Sequence, residues 1–379
     1  MSATDQNNHF ETRGIEFILP AASEREVAIR QMKAFIDTHG LSDCVDISQG
    51  ADSGTATFKL KEEYRKQWAP EWNTNRLYET LDLNGSQVKQ DLDKEILVAM
   101  LLATIPFNFP SYEEFFSAVQ VRHHLVNCGQ LSALNFDTNA TERPGDYWHY
   151  DEDAGFLLNA GQSIIDALIK ATQPKDMESA YSFSCYRATE YVILLSIAQE
   201  LKAVNPELLK RLEERSEIRA IRSGEFHEVF LKEYGSIEKP FPMKYYVPGD
   251  RVWFRNPDSR SSDISGYEGS WVIYLGRNLF TNFWKRDQPF TLETKCIEVF
   301  HWKDGAYLDR DGELKMDESI VESCVAKTLA DPVAYQKTLE RMMRYRDPKG
   351  VYDRGGCIDT SRESPRLVCP HTSDIHIPN

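Results

Sequence analysis

Apolar positions recur with helical spacing through the first third of the chain and switch to alternation in its second half. Ser23 to His39 carries Ala28, Met32, Ala34, Phe35 and Ile36 as its apolar positions and ends at Gly40, which predicts a capped amphipathic helix. Asp91 to Ala103 and Tyr112 to Val126 predict two more, whereas residues 41–90 show no clear period and residues 1–14 read as polar and loose. Gly145 to Tyr150 reads as a strand start, and Gly161 to Ala171 as a further helix. Tyr191 to Ala198 is apolar on nearly every face, so a helix there is stable only inside a core, and its first turn must surface in a groove or against another layer. Charged helical sequence runs from Leu201 to Tyr234. The period then becomes two. Val247-Pro248-Gly249-Asp250 is a turn, Arg251 to Arg255 and Trp271 to Leu275 alternate as strands, and Cys296 to Trp302 is predicted as a third strand with a hairpin turn at Asp304-Gly305. Beyond residue 316 the pattern is helical to about Arg346, and the last thirty or so residues read as a tail. The sum is an α+β fold, with helices first and an antiparallel sheet after them.

Composition narrows the function classes. A chain of 379 residues, 41% hydrophobic, can build a large core, and its net charge of −15 argues against nucleic acid or an anionic membrane as partner. Seven scattered cysteines form no disulfide framework and suit a reducing compartment. The N-terminus has no basic stretch followed by an apolar one, and nothing reaches the length of a membrane span. The expected location is the cytoplasm, or export by a route that needs no cleaved signal. No internal repeat or low-complexity tract is present, and the oligomeric state is not legible.

The chemistry centres on Cys185, which opens the apolar helix. Unsatisfied backbone N–H groups and the positive end of the helix dipole favour thiolate over thiol, and the same N–H groups can hold an oxyanion. The alternative reading is a buried, inert cysteine acting as a small hydrophobe.

Tyr181 to Ala198, Gly249-Asp250-Arg251-Val252-Trp253-Phe254-Arg255-Asn256-Pro257 and Gly269 to Gly276, in this order, resemble the spore-coat type of bacterial protein-glutamine gamma-glutamyltransferase. Tyr147-Trp148, Ala154 to Leu158 and Ala160 to Ala167 resemble that family's lead-in to its cysteine, and Phe115 to Phe136 its preceding helix, so the resemblance spans roughly residues 110–310. It implies a papain-like cysteine enzyme core, with a helix-borne cysteine packed on an antiparallel sheet. The expected organisation is a mostly helical N-terminal extension over residues 1–105, the core over 106–315, and C-terminal helices and tail over 316–379. It implies attack of Cys185 on a glutamine carboxamide, loss of ammonia, and transfer of the resulting thioester to an amine or to water. Partners would be proteins with accessible glutamine and, as acceptors, lysine or small amines. No cofactor is required.

The sequence departs from that family where the acid and base belong. The family's glutamate position holds Ser270, its histidine position Asn282, and a glutamate that precedes the cysteine in some members is Ser184. Glu268, two residues before Ser270, would share its strand face. His301, grouped by alternation with Ile297 and Val299 and opposite Glu298, is a candidate base, or else a hydrogen-bonded core residue. Asn282 could orient an imidazole, help an oxyanion hole, or merely satisfy its loop. Trp271 and Trp284 are candidate walls for the aliphatic part of a substrate side chain. His123, His124, His227, His371 and His376 read as surface or structural groups. Asp309 to Glu313 reads as a hairpin turn rather than a calcium loop, and Cys357, Cys369 and His371 lack zinc-site spacing. Three classes stay open: a glutamine transferase or deamidase, a papain-like hydrolase of peptide or cell-wall bonds, and a non-catalytic binding protein.

Overall fold

The computed structural model describes residues 10–50, 54–83, 88–137, 142–175, 179–220, 223–351 and 353–377. Most of the expected loose N-terminus, residues 1–9, lies outside them, while Arg13 and Gly14 are fixed by hydrogen bonds to the Ala103 carbonyl. The first third holds helices α1 (Ala22–Thr38), α2 (Lys89–Leu101) and α3 (Tyr112–Leu131) as the spacing predicts. It also holds a four-stranded sheet that the pattern did not reveal. Its strands β1 (Ile15–Ile18), β2 (Val45–Gln49), β3 (Thr55–Leu60) and β4 (Phe107–Phe109) lie in the order β2-β3-β1-β4, with β1 parallel to β4 and the other pairs antiparallel. Phe17, Phe58, Phe109 and Phe115 knit this sheet to α3 through edge-on and tilted ring contacts.

Helix α4 (Ile164–Thr172) packs on α5 (Cys185–Val204), the helix that the continuous apolar run predicts. Val192, Ile193, Leu194, Leu195 and Ile197 of α5 are fully buried, and each contributes about 1.5–3 kcal/mol by leaving water. Such a helix has no solvent face of its own, so α3, α4 and the main sheet enclose it.

That main sheet is built from β5 (Leu231–Tyr234), β6 (Arg251–Arg255), β7 (Gly269–Gly276), β8 (Leu279–Phe280) and a late strand described below. The turn ahead of β6 is clamped by the buried pair Arg122–Asp250 at 2.7 Å, with Arg122 also donating to the Pro248 carbonyl. Gly249 adopts φ +87°, and a Cβ there would lie 3.0 Å from Arg122, so both the turn and the clamp require glycine.

Four expectations are corrected here. Cys296 to Trp302 is not a strand but part of helix α6 (Leu292–Gly305), started by a capping box between Thr291 and Thr294. Leu292, Cys296 and Val299, four and three residues apart, bury one stripe in a core cluster with Phe254 and Phe280; seven residues of apparent alternation concealed this helical spacing. Asp304-Gly305 is consequently the end of a helix, and the hairpin lies just after it, between β9 (Ala306–Leu308) and β10 (Leu314–Met316), where Asp309 to Glu313 makes the turn as read. The C-terminal residues are no tail. After helices α7 (Glu318–Ala330) and α8 (Pro332–Met342), strand β11 (Arg362–Pro365) enters the main sheet, whose order is β8-β7-β6-β11-β5 and whose pairs are all antiparallel. The stretch from Leu201 to Tyr234 holds the end of α5 and helices over Pro206–Ser216 and Ser223–Phe230, and ends as β5.

Candidate active site

Ser184 caps α5 by accepting the Arg187 N–H at 3.3 Å, which leaves Cys185 as the first helical residue. The helix start abuts β7, and the Cys185 thiol points at the Gly269 carbonyl, 3.9 Å away. A Cβ on Gly269 would fall 2.2 Å from the Trp253 indole nitrogen and 2.7 Å from the Phe254 carbonyl, so only glycine lets β6 and β7 close beside the cysteine. Cys185 keeps part of its surface open to a cavity of about 430 Å³. Burial nevertheless pushes the thiol above its ordinary value. The Trp271 N–H, the charges of Lys295 and Arg251, and the Tyr186 N–H pull in the opposite direction without overcoming it. The expectation of a thiol lowered by the helix start is therefore corrected: desolvation is the larger effect.

Arg251, buried, is held beside this corner by protein groups. Its Nε donates to Thr189 Oγ1 at 2.9 Å, a terminal nitrogen pairs with Glu363 at 2.8 Å, and its guanidinium lies over the rings of Tyr186 and Trp271. Glu363 also accepts from His227 at 2.9 Å, so the histidine read as surface is a structural partner of β11.

The cavity is lined by the aromatic side chains of Phe136, Tyr267, Trp284 and Phe290 and by Val321, Val325, Ala326 and Leu329 of α7. Of the sequence candidates, Cys185, Asn282 and Trp284 line it, together with Ser270. Asn282 is occupied with its own loop, donating to the Gln288 carbonyl and accepting the Lys285 N–H. Trp271 is not a wall: alternation on β7 turns Ser270 into the cavity and Trp271 to the opposite face, where it stacks on Trp253 with ring centroids 5.6 Å apart.

Neither candidate base reaches the cysteine's cavity. Glu268 lies just ahead of β7, exposed, and its carboxylate turns back to accept the Gly266 N–H, so the strand periodicity assumed for it does not extend that far. His301 sits on α6 rather than a strand, with one ring nitrogen on Asp304 at 2.6 Å and the other on Thr328 at 2.7 Å. Cys324 brings its sulfur within 4.8 Å of donor atoms of that histidine and aspartate.

The helix that displaces His301 delivers two groups that the sequence reading missed. Lys295 and Glu298, three residues apart on α6, both line the cavity and form an ion pair at 2.5 Å. The Lys295 side chain is 4% exposed, and its ammonium also lies over the Phe290 ring, 3.9 Å from the centroid. The signal was present in the chain as Thr291-x-x-Thr294 ahead of Lys295-x-x-Glu298, but it is read only once the segment is recognised as a helix.

A model of the protein-glutamine gamma-glutamyltransferase family matches residues 74–367, a wider span than the sequence motifs suggest. Among solved structures the chain is similar to a transglutaminase from Geobacillus stearothermophilus without its C-terminal extension. That similarity has 15% identity and a TM-score of 0.37, and it covers 56% of this chain and 98% of that one. No curated protein matches.

Proposed function

From the premise that the chain belongs to the protein-glutamine gamma-glutamyltransferase family, whose chemistry is acyl transfer from protein glutamine side chains, we propose that Cys185 is the nucleophile and that the aromatic-walled cavity receives the glutamine. The observation that carries this reading is the placement of a helix-opening cysteine on the wall of a 430 Å³ cavity, with two buried cations acting on its thiol. A helix-borne cysteine against an antiparallel sheet also supports a papain-like core.

In this reading the sulfur attacks the carboxamide carbon, and backbone N–H groups around the start of α5 stabilise the oxyanion. Collapse of the tetrahedral species releases ammonia and leaves a thioester on Cys185. A primary amine then takes the acyl group to form an amide, or water takes it to form glutamate. The apolar residues of α7 and the aromatic rings that line the cavity suit the aliphatic stem of a glutamine or lysine side chain, and limit water at the thioester. Among the described residues no membrane-spanning helix is found.

The test is incorporation of a labelled primary amine into casein, with ammonia release followed in parallel, in the native protein and in Cys185→Ala. Cys185-dependent label establishes transamidation, and Cys185-dependent ammonia without label establishes deamidation. Absence of both with several glutamine donors would favour a binding role, the reading that Ser270 and Asn282 in place of titratable residues suggest.

A further inference from the structure

We propose that Glu298 is the proton carrier of the Cys185 reaction and that Lys295 is its positioning residue, so that α6 supplies the acid–base function that Ser270 and Asn282 lack. The inference rests on Cys185 as nucleophile.

The titratable side chains that line the cavity with Cys185 are Tyr267, Lys285, Lys295, Glu298, Glu318 and Glu322. Four of these are engaged toward the α7 side. Glu318 accepts the Tyr267 hydroxyl at 2.7 Å, and Glu322 pairs with Lys285 at 2.6 Å in a largely exposed contact. Burial raises the Tyr267 hydroxyl far above the neutral range, with Glu318 adding to the rise, so it stays protonated. The Lys295–Glu298 pair differs. Its cation is almost wholly buried and acts on the Cys185 thiol, while its carboxylate, 24% exposed, faces the space a substrate would fill.

An ion pair that lines the same cavity as a thiol allows proton transfer without creating a new net charge. When the sulfur's proton moves to the Glu298 carboxylate, the negative charge moves to sulfur and the Lys295 ammonium remains in its field. The three groups sum to zero before and after, which matters where water is scarce. In acylation the S–H proton passes to Glu298, the C–S bond forms, and the same proton moves to nitrogen as the C–N bond breaks and ammonia leaves. In deacylation the incoming amine or water gives a proton to Glu298 as its C–N or C–O bond to the acyl carbon forms, the C–S bond breaks, and that proton returns to sulfur. No other reactant is needed. A carboxylate is adequate for both directions because it accepts a proton in one half-reaction and returns it in the next.

The test uses the full chain and four proteins: native, Cys185→Ala, Glu298→Gln and Lys295→Met, each checked for a cooperative urea transition. Two readouts are compared: incorporation of a fluorescent primary amine into casein, and the pH dependence of iodoacetamide alkylation at the Cys185 peptide, followed by mass spectrometry. The expected result has three parts. Glu298→Gln lowers amine incorporation by about 10²–10⁴, the usual contribution of a positioned acid–base group, while Cys185 still alkylates fully at high pH. Lys295→Met displaces the alkylation profile to higher pH and slows the reaction at pH 7, about tenfold if the profile's midpoint rises from one pH to the next whole pH, an effect that loss of packing alone would not produce. Cys185→Ala loses all label. If Cys185→Ala loses the label but Glu298→Gln falls less than about tenfold, or if the Lys295→Met profile superimposes on the native one, the inference is overturned and the nucleophile stands. Label retained in Cys185→Ala overturns both.

Discussion

Replacing Glu363 with Ala tests whether the C-terminal strand is a structural part of the site or an accessory to it. Glu363 is 8% exposed and pairs with Arg251, 1% exposed, at 2.8 Å, while its second oxygen accepts from His227. Removing the carboxylate leaves, among the described contacts, a buried guanidinium with Thr189 and two ring faces as company. Breaking one side of a buried pair in this way costs about 3–5 kcal/mol, against about 1 kcal/mol or less for an exposed pair. The assay is equilibrium urea unfolding followed by tryptophan fluorescence, with Arg251→Met and the double variant completing the cycle. Because the double variant no longer buries an unpaired charge, its loss should be smaller than the sum of the two single losses. The pH dependence has a definite sign. Burial alone would raise Glu363, but the His227 hydrogen bond and the Arg251 charge hold it below its ordinary 4.5, so its contribution is present above that value and disappears as pH falls through the folded one. His227 is raised above 6.5 chiefly by its bond to Glu363, so its contribution is complete below 6.5 and is lost as pH rises through its folded value. A cost below about 1 kcal/mol for Glu363→Ala, or simple additivity in the cycle, would refute the claim that this network anchors β11.

Two further outcomes are expected. Glu95, buried behind Gly276 and accepting only the Arg277 N–H among the described contacts, is pushed from 4.5 up to about 7 by desolvation. The folded protein therefore binds a proton that the unfolded chain releases, and stability should fall by about 3 kcal/mol between pH 4.5 and 7; Glu95→Gln should flatten that slope in urea titrations at the two pH values. Ser184→Ala removes the cap of α5 and should cost about 1 kcal/mol in thermal or urea unfolding, whereas Ser184→Asp should keep the cap.

The sequence made the buried helix legible because eight consecutive residues with almost no polar position admit no solvent face, and that placed Cys185 correctly at its start. It made β6 and β7 legible through alternation and the Pro-Gly-Asp turn. It concealed β11 because Arg362-Glu363-Ser364-Pro365 lacks any large apolar side chain. Arg362 and Glu363 are buried by charge pairing and by Arg362 donating to the Tyr245 and Asp359 carbonyls, and a hydrophobicity pattern cannot register that kind of burial. In residues 41–90, β2 is exposed apart from Val45 and so shows no period, whereas β3 does alternate, burying Ala56, Phe58 and Leu60 between Thr55, Thr57 and Lys59, a six-residue signal too short to stand out from its surroundings. The misread α6 had the largest consequence for chemistry. Taken as a strand, it aimed His301 at the site and Glu298 away from it; as a helix, it commits His301 to Asp304 and Thr328 and turns Lys295 and Glu298 into the cavity.

The measurement that tests the central claim most directly is capture of the acyl-enzyme. The native protein is mixed with a short glutamine-containing donor peptide, quenched in acid, digested and mapped by mass spectrometry. The account predicts a donor-derived thioester adduct, with loss of ammonia, on the peptide that contains Cys185, and its disappearance when a primary amine is added before the quench. An adduct on another cysteine such as Cys324, or turnover of the donor that persists in Cys185→Ala, would contradict it.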